Sequence, residues 1–280
     1  MVSSSRRITR AASVIGLVLS LSAALPASAG TIKLVDYNTD HGGTAKTPAT
    51  TDAELDTIAA ENPDVVVLQE ADKSQLGYFV NGLNSRLGTS KWHGVYAQHC
   101  QTGTAPTCSS YATETVMILT RLTTLSTDST LIWAKDDYHV ARGTIHMKVA
   151  MEDGTPVNVF VCHLPALGDS QNARVAYVTA FQAWAQSFGS PRLVGGDFND
   201  SPGTPPIVAM TQQYNDAWKI GGTGTGLTHA HGTTLATRID YWFHDATGTE
   251  TLAAIKLVAV CRTRTTWRSS PPTTSLLPQC

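Results

Sequence analysis

The densest group of chemistry-bearing side chains lies in RLVGGDFNDSP, Arg192–Pro202. A short apolar run, Leu193 and Val194, passes through two glycines into Asp197, Phe198, Asn199 and Asp200, and Ser201-Pro202 breaks it. That pattern reads as a buried strand stopping in a turn. Asp197 and Asn199 are two positions apart, so in extended geometry both side chains leave one face. A carboxylate beside a carboxamide suits phosphate-ester chemistry. The first takes a proton from water or holds a metal, and the second donates to a phosphoryl oxygen. The competing reading is an Asx-type turn that only closes the strand.

Other polar residues stand where apolar runs end. Asn38 follows IKLVDY, Glu70 follows DVVVLQ, Glu114 precedes TVMILT, His163 follows VNVFVC, and Asp240 lies within RIDYWF. Ligand sites in α/β folds gather at strand ends, so these residues are expected to converge. Glu70 is a hard oxygen donor suited to Mg²⁺, Mn²⁺ or Ca²⁺, and a surface position is disfavoured straight after DVVVL. Each of the others has a plainer alternative. Asn38 reads equally as a turn residue before Gly42-Gly43, His163 as a packed core histidine, and Arg142 in ARGTIHMKV as an edge-strand arginine. His41, His229 and His231 lie near these motifs without an assignable role.

The elements that must position them follow from pattern. Strands are expected at Ile32–Tyr37, Asp64–Leu68, Thr115–Thr120, Thr123–Leu131, Ala141–Met151, Val157–Val161, Arg238–Phe243 and Leu252–Val260. Turns separate them at Lys135–Tyr138 and Glu152–Pro156. Thr51-Asp-Ala-Glu54 carries a capping-box signature and opens a short helix that Asn62-Pro63 ends. Gln75–Leu87, Ser170–Phe188 and Pro206–Gln213 read as further helices, the second with Val175, Val178, Phe181 and Trp184 along one face. About ten strands with helices between the two halves imply a layered α/β sandwich of two sheets flanked by helices.

The first 29 residues read as a secretory signal. Arg6, Arg7 and Arg10 precede an apolar stretch too short for a span, and Ala27-Ser28-Ala29 offers a small-residue cleavage site before Gly30. Secretion, outside the cell or into a periplasm, is the expected localisation, with one domain at 30–260 and an atypical tail at 261–280. The formal net charge is −2. Removing the signal and the last twenty residues, which together hold six arginines and no acids, leaves 14 basic against 22 acidic side chains, a net −8. That excludes a broad nucleic-acid-binding surface, so metal ions and a few placed cations must hold any polyanionic substrate. Among five cysteines, Cys100 and Cys108 bracket a Gly/Thr/Pro loop that a disulfide could close in an oxidising exterior, and Cys162 reads as a buried small hydrophobe.

Taken in order, LVDYNTDHGG, PDVVVLQE, VFVCHLP, GGDFN and RIDYWF resemble the motifs of the endonuclease/exonuclease/phosphatase superfamily, the metal-dependent phosphodiesterases related to deoxyribonuclease I. The resemblance spans about Ile32–Val260 and implies a four-layer α/β (α+β) fold with two packed mixed β-sheets. It points toward the deoxyribonuclease I branch through Glu114, which looks like the glutamate orienting a catalytic histidine, and Arg142, which looks like a phosphate clamp. The roles implied are Glu70 and Asn38 at a metal, Mg²⁺ or else Mn²⁺ or Ca²⁺, with His163 as general acid or electrostatic donor. Asp197 would orient or deprotonate the attacking water, Asn199 would donate to a non-bridging oxygen, and Asp240 would pair with a late histidine. The partner implied is nucleic acid or another phosphodiester, met by a monomer without stable membrane insertion or a protein partner.

The pattern breaks at the end. The superfamily expects Ser/Thr-Asp-His after the last strand, yet no histidine follows His244, and Cys261–Cys280 reads CRTRTTWRSSPPTTSLLPQC. Joining the third base of each codon to the first two of the next, Pro271-Pro272, Pro272-Thr273 and Thr273-Thr274 give NCC, NAC and NAC. Those triplets include Thr, Asp and His, so the tail is expected to be out of frame. An intact frame at the 3′ end of the gene would refute this. With the tail as written, turnover is expected to be weak or absent. The competing functions are a phospholipid-, sphingomyelin- or inositol-phosphate-directed phosphoesterase, and a catalytically impaired binding protein on the same scaffold. The first should carry an exposed aromatic hairpin, and Trp92, Trp133, Trp184, Trp218 and Trp242 are scattered instead.

Overall fold

A computed structural model describes residues 31–40, 48–133, 141–165, 171–231 and 234–245. The signal segment, the 135–138 turn, the strand expected at 252–260 and the 261–280 tail lie outside them. In chain order the strands are β1 (Leu34–Asn38), β2 (Val65–Asp72), β3 (His93–Thr104), β4 (Thr107–Thr120), β5 (Thr123–Ile132), β6 (Arg142–Ala150), β7 (Pro156–His163), β8 (Arg192–Asp197), β9 (Tyr214–Asp216), β10 (His229–His231), β11 (Thr234–Thr237) and β12 (Asp240–Asp245). The helices are α1 (Pro48–Ala60), α2 (Leu76–Arg86), α3 (Gln171–Ala185), α4 (Pro205–Thr211) and α5 (Ala217–Gly221).

Two mixed sheets form, ordered β1-β2-β4-β3 and β5-β6-β7-β8-β12-β9, beside a small β10-β11 ribbon. Alternation along the central strands explains how they stack, because successive side chains leave opposite faces. In β2, Val65 and Val67 join one apolar cluster while Val66 and Leu68 join another. In β7, Val159 and Val161 meet the Val65 cluster while Phe160 and Cys162 turn to a third. The shared cluster fills the space between the sheets, Leu55 and Phe79 of α1 and α2 cover the outside of the first sheet, and Phe181 and Ile207 of α3 and α4 cover the second. The result is the expected four-layer α/β sandwich.

Several expectations are corrected. The first helix opens at Pro48, where proline's missing N–H costs nothing, and Thr51 lies buried inside it, so no capping box starts at Thr51. The strand expected at Thr115–Thr120 is only the inner half of β4, whose outer half forms a long arm with β3. Cys100 and Cys108 close that arm with a disulfide. Arg142 is not on an edge: β6 lies between β5 and β7, and its side chain is buried.

Candidate active site

Strand direction brings the polar residues to one end. β1 is parallel to β2 and β7 to β8, so Asn38, His163 and Asp197 leave from C-terminal ends, with Glu70 two residues before the end of β2. β6 and β12 run antiparallel to β7 and β8, so the same end receives their first residues, Arg142 and Asp240. Glu114 differs from expectation. It sits inside β4, opposite Asp72, and reaches the site from the base of the β3-β4 arm.

Backbone irregularities aim two of these side chains. Between Leu68 and Ala71, β2 spends one residue more than β4, which makes a bulge at Gln69-Glu70. Glu70 adopts φ +57 there, a left-handed conformation costing about 1–3 kcal/mol in a non-glycine residue. Asn199 has φ +46 beyond the end of β8. It is therefore not an extended i+2 neighbour of Asp197 as expected, but folds back so that its N–H donates to Asp197 Oδ1 at 2.7 Å. Its Nδ2 donates to Leu164 O at 3.1 Å. The Asx turn and the chemical pairing are thus one structure. Gly196 allows the close approach: it has φ +146, and a Cβ there would strike Cys162 O.

The acidic half of the site centres on Asn38. Its Nδ2 donates to Glu70 Oε1 at 3.0 Å and to Asp197 Oδ2 at 2.9 Å, tying a carboxylate of each sheet to one amide. Its Oδ1 accepts from the Asp40 N–H at 2.8 Å. In this orientation Asn38 braces the two carboxylates through its amide hydrogens. Ligand atoms of Glu70, His163 and Asp197 lie within 4.8 Å of one another.

Charge is crowded here. Burial, then the nearby Asp240 and Glu70, push the Asp197 carboxyl well above the usual carboxylate range, against hydrogen bonds from Asn199 and Asn38. Asp36, which pattern did not single out, lies just below. It accepts from Gln69 Nε2 at 2.8 Å and Gly196 N at 2.9 Å, joining the two sheets. Burial, with Asp197 adding to it, raises its pKa to about 7.

The basic half centres on Glu114. His163 Nδ1 lies 3.7 Å from its Oε1 and Arg142 Nη1 lies 3.8 Å from it. Arg142 Nη1 is nearer to His163 Nδ1, at 3.3 Å. Arginine only donates, so in this arrangement Arg142, rather than Glu114, sets the histidine tautomer. His163 Nε2 faces Glu70 Oε1 at 3.8 Å. A second histidine, His99, brings Nε2 within 3.8 Å of Glu114 Oε1. It stands in β3, which pattern did not identify as a strand, so nothing placed it at the site.

Among the described residues two three-residue groups could hold a metal, Glu70-His163-Asp197 and His99-Glu114-His163. Their surroundings separate them. The second already contains the Arg142 guanidinium. The first sets Glu70 beside the buried Asp197, whose carboxyl is pushed above its usual range by burial and neighbouring carboxylates, a penalty that a divalent cation offsets. Donor type and charge therefore fit a hard cation between Glu70 and Asp197.

Comparison with known proteins bears on the family and the fold. The family model described as "Endonuclease/Exonuclease/phosphatase family" matches residues 37–260. No curated protein sequence matches the chain. Among solved structures, an endonuclease/exonuclease/phosphatase family protein from Leptotrichia buccalis aligns with TM-score 0.60 and 17% identity, over 76% of this chain and 88% of that one. A β-hairpin deletion mutant of β toxin from Staphylococcus aureus aligns with TM-score 0.59 and 16% identity, over 90% and 99%. The human nocturnin catalytic domain with bound sulfate aligns with TM-score 0.52 and 19% identity, over 70% and 74%. These likenesses carry the fold, and the family match spans most of the sequence from Tyr37 to Val260: the chain belongs to the endonuclease/exonuclease/phosphatase family.

Proposed function

We propose that the chain is a secreted, divalent-metal-dependent phosphodiesterase whose substrate is nucleic acid. The observation that carries this reading is the meeting of Glu70, His163 and Asp197 within 4.8 Å, from strands far apart in sequence, beside the buried guanidinium of Arg142. Family members are in general hydrolases of phosphoester bonds, and the family is typically divalent-metal dependent.

Glu70 and Asp197 would hold Mg²⁺, Mn²⁺ or Ca²⁺, which when bound neutralises phosphodiester charge and polarises the bonds to phosphorus. The chain's own groups do the rest. Arg142 clamps a non-bridging oxygen through its planar fork. Asp197 orients the attacking water and accepts its proton. His163 donates to the phosphate or the leaving oxygen from Nε2, and Glu114 faces its Nδ1 once Arg142 engages the phosphate. Asn199 offers its second amide hydrogen as charge builds on phosphorus. Asn38 keeps Glu70 and Asp197 in register, and Asp240 stands beside Asp197. With a net charge near −8 away from the arginine-rich ends, contact with a polyanion depends on this pocket. Export before Gly30 agrees with the Cys100–Cys108 disulfide. Among the described residues no helix is long and apolar enough to cross a membrane.

Plasmid nicking with Mg²⁺ and with EDTA, beside sphingomyelin and inositol-phosphate hydrolysis, tests the reading on the chain whose 3′ end is restored to the frame that spells Thr-Asp-His. Metal-dependent nicking is expected. Hydrolysis of the lipid or inositol phosphate alone would move the substrate assignment, and no hydrolysis of any would point to a binding protein.

A further inference from the structure

One oxygen of Glu114, Oε1, has three nitrogen neighbours at nearly equal distance: His163 Nδ1 at 3.7 Å, Arg142 Nη1 at 3.8 Å and His99 Nε2 at 3.8 Å. The first two belong to the reading above. His99 does not, and its side chain is 0% exposed. Its ring is oriented by backbone, because the Gly143 N–H donates to Nδ1 at 3.0 Å. A ring nitrogen that accepts carries no proton, so the ring is neutral and its one N–H is on Nε2, the nitrogen facing Glu114. Gly143 is itself confined, since a Cβ there would lie 2.6 Å from Gln98 O. The next residue along β3, Cys100, bonds to Ala141 through its N–H at 2.8 Å. His99 is thus fixed from β6, the strand that carries Arg142.

His99, Glu114 and His163 also offer donors for a transition metal, but Arg142 supplies positive charge at the same place, 3.3 Å from His163 Nδ1. Orientation is the better use of the ring. We propose that His99 is a positioning residue, which holds Glu114 Oε1 against His163 Nδ1 when Arg142 turns to a substrate phosphate. The Arg142 step rests on the phosphodiesterase reading; the His99–Glu114 geometry does not. A guanidinium that turns two of its five N–H groups to a phosphate has fewer left to offer Glu114 and His163. The hold of Arg142 on Glu114 then weakens, while His99, pinned by Gly143, stays beside Glu114 Oε1 and next to His163, their ring centroids 5.7 Å apart.

The test compares wild type, His99→Gln and His99→Leu with Mg²⁺ on an aryl phosphodiester, with melting temperatures as folding controls. Glutamine keeps an N–H near the Nε2 position and leucine removes it. His99→Leu is expected to lower kcat about 10- to 100-fold with KM nearly unchanged, and His99→Gln to recover most of the loss. Wild-type kcat in His99→Leu, or equal losses in both variants, overturns the proposal. Long-range ¹H–¹⁵N correlation of the imidazoles at neutral pH decides the matter if the leucine variant does not fold or the wild type is inactive. A neutral, Nε2-protonated His99 is expected, with His163 resonances kept in His99→Gln. A cationic or Nδ1-protonated His99 overturns it. An inactive wild type with the expected tautomer counts against the phosphodiesterase reading alone.

Discussion

Asp197 and Asp240 are direct partners in the register of β8 and β12, so two carboxylates stand opposite each other at the mouth of the second sheet. Like charges in that position repel. Together with burial they raise the Asp197 pKa well above its usual value, and Glu70 adds to the effect from the other sheet. Without a cation the fold carries that repulsion as a cost.

A divalent cation should therefore stabilise the chain before any substrate is present. At about 100 times its Kd, a ligand specific to the native state contributes about 2.7 kcal/mol. For a domain of about 250 residues that amounts to about 5–10 °C in Tm. Mg²⁺, Mn²⁺ or Ca²⁺ should produce such a shift, EDTA should reverse it, and Glu70→Gln should abolish most of it. A shift of equal size in wild type and Glu70→Gln would place the ion elsewhere.

Asp36 makes stability depend on pH with a definite sign. Its folded pKa of about 7 exceeds the ordinary 3.8, so between those values the folded state binds more protons than the unfolded state. Stability then falls as pH rises from about 4 to about 7 and levels off above. Metal-free wild type should lose Tm across that window. Asp36→Asn should be less stable at low pH, because an amide cannot accept from both Gln69 and Gly196, but its slope should be shallower. Parallel slopes in the two proteins would assign the dependence to another group.

Most of the layered fold was legible because its signals are local and periodic. DVVVL and VNVFV alternate between two clusters once the strands pair, and Phe181 in its helix faces the core. What pattern could not supply is long-range or irregular. The β3-β4 arm is polar and partly exposed along its outer half, so it lacks the alternation that marks a half-buried strand. His99 was hidden with it. Asp36 looked like an ordinary polar residue in a strand, and only the approach of Gly196 from the other sheet gives it a role. The left-handed backbone at Glu70 and Asn199 has no propensity signal, since it is imposed by the bulge and the turn around them.

Arg142 should govern substrate engagement. It is buried, and its guanidinium lies beside both Glu114 and His163. A charge-assisted hydrogen bond contributes about 1.5–3 kcal/mol, so Arg142→Gln should lower kcat/KM by about 10- to 100-fold. Arg142→Lys keeps the charge without the fork and should recover only part of the loss. Steady-state kinetics on one phosphodiester decides this, and full activity in the lysine variant would reduce the role to charge alone.

The disulfide should stiffen the arm that carries His99 and Glu114. Cys100 and Cys108 are 8 residues apart, and closing a loop of that size stabilises by about 2–3 kcal/mol in the chain-entropy account. Cys108→Ser should lower the urea midpoint accordingly. Hydrogen exchange should rise in β3 and β4 more than in β7 and β8, and a uniform rise would mean that the arm is not a separate stabilising unit.

Asp240→Asn should move stability and turnover in opposite directions. The substitution removes a negative charge opposite Asp197, and relieving a like-charge cross-strand pair is worth about 0.2–1 kcal/mol. The metal-free variant should melt about 1–4 °C higher, because the backbone bond from Asp240 N to Thr228 Oγ1 is kept. The same change takes a carboxylate away from the pocket that would hold the cation, and affinity for a hard cation falls with the negative charge around it. A fall in kcat of at least about tenfold is expected, with metal-free stability raised. If the variant melts lower and turns over as before, Asp240 is a structural strand residue and the acidic cluster ends at Asp197.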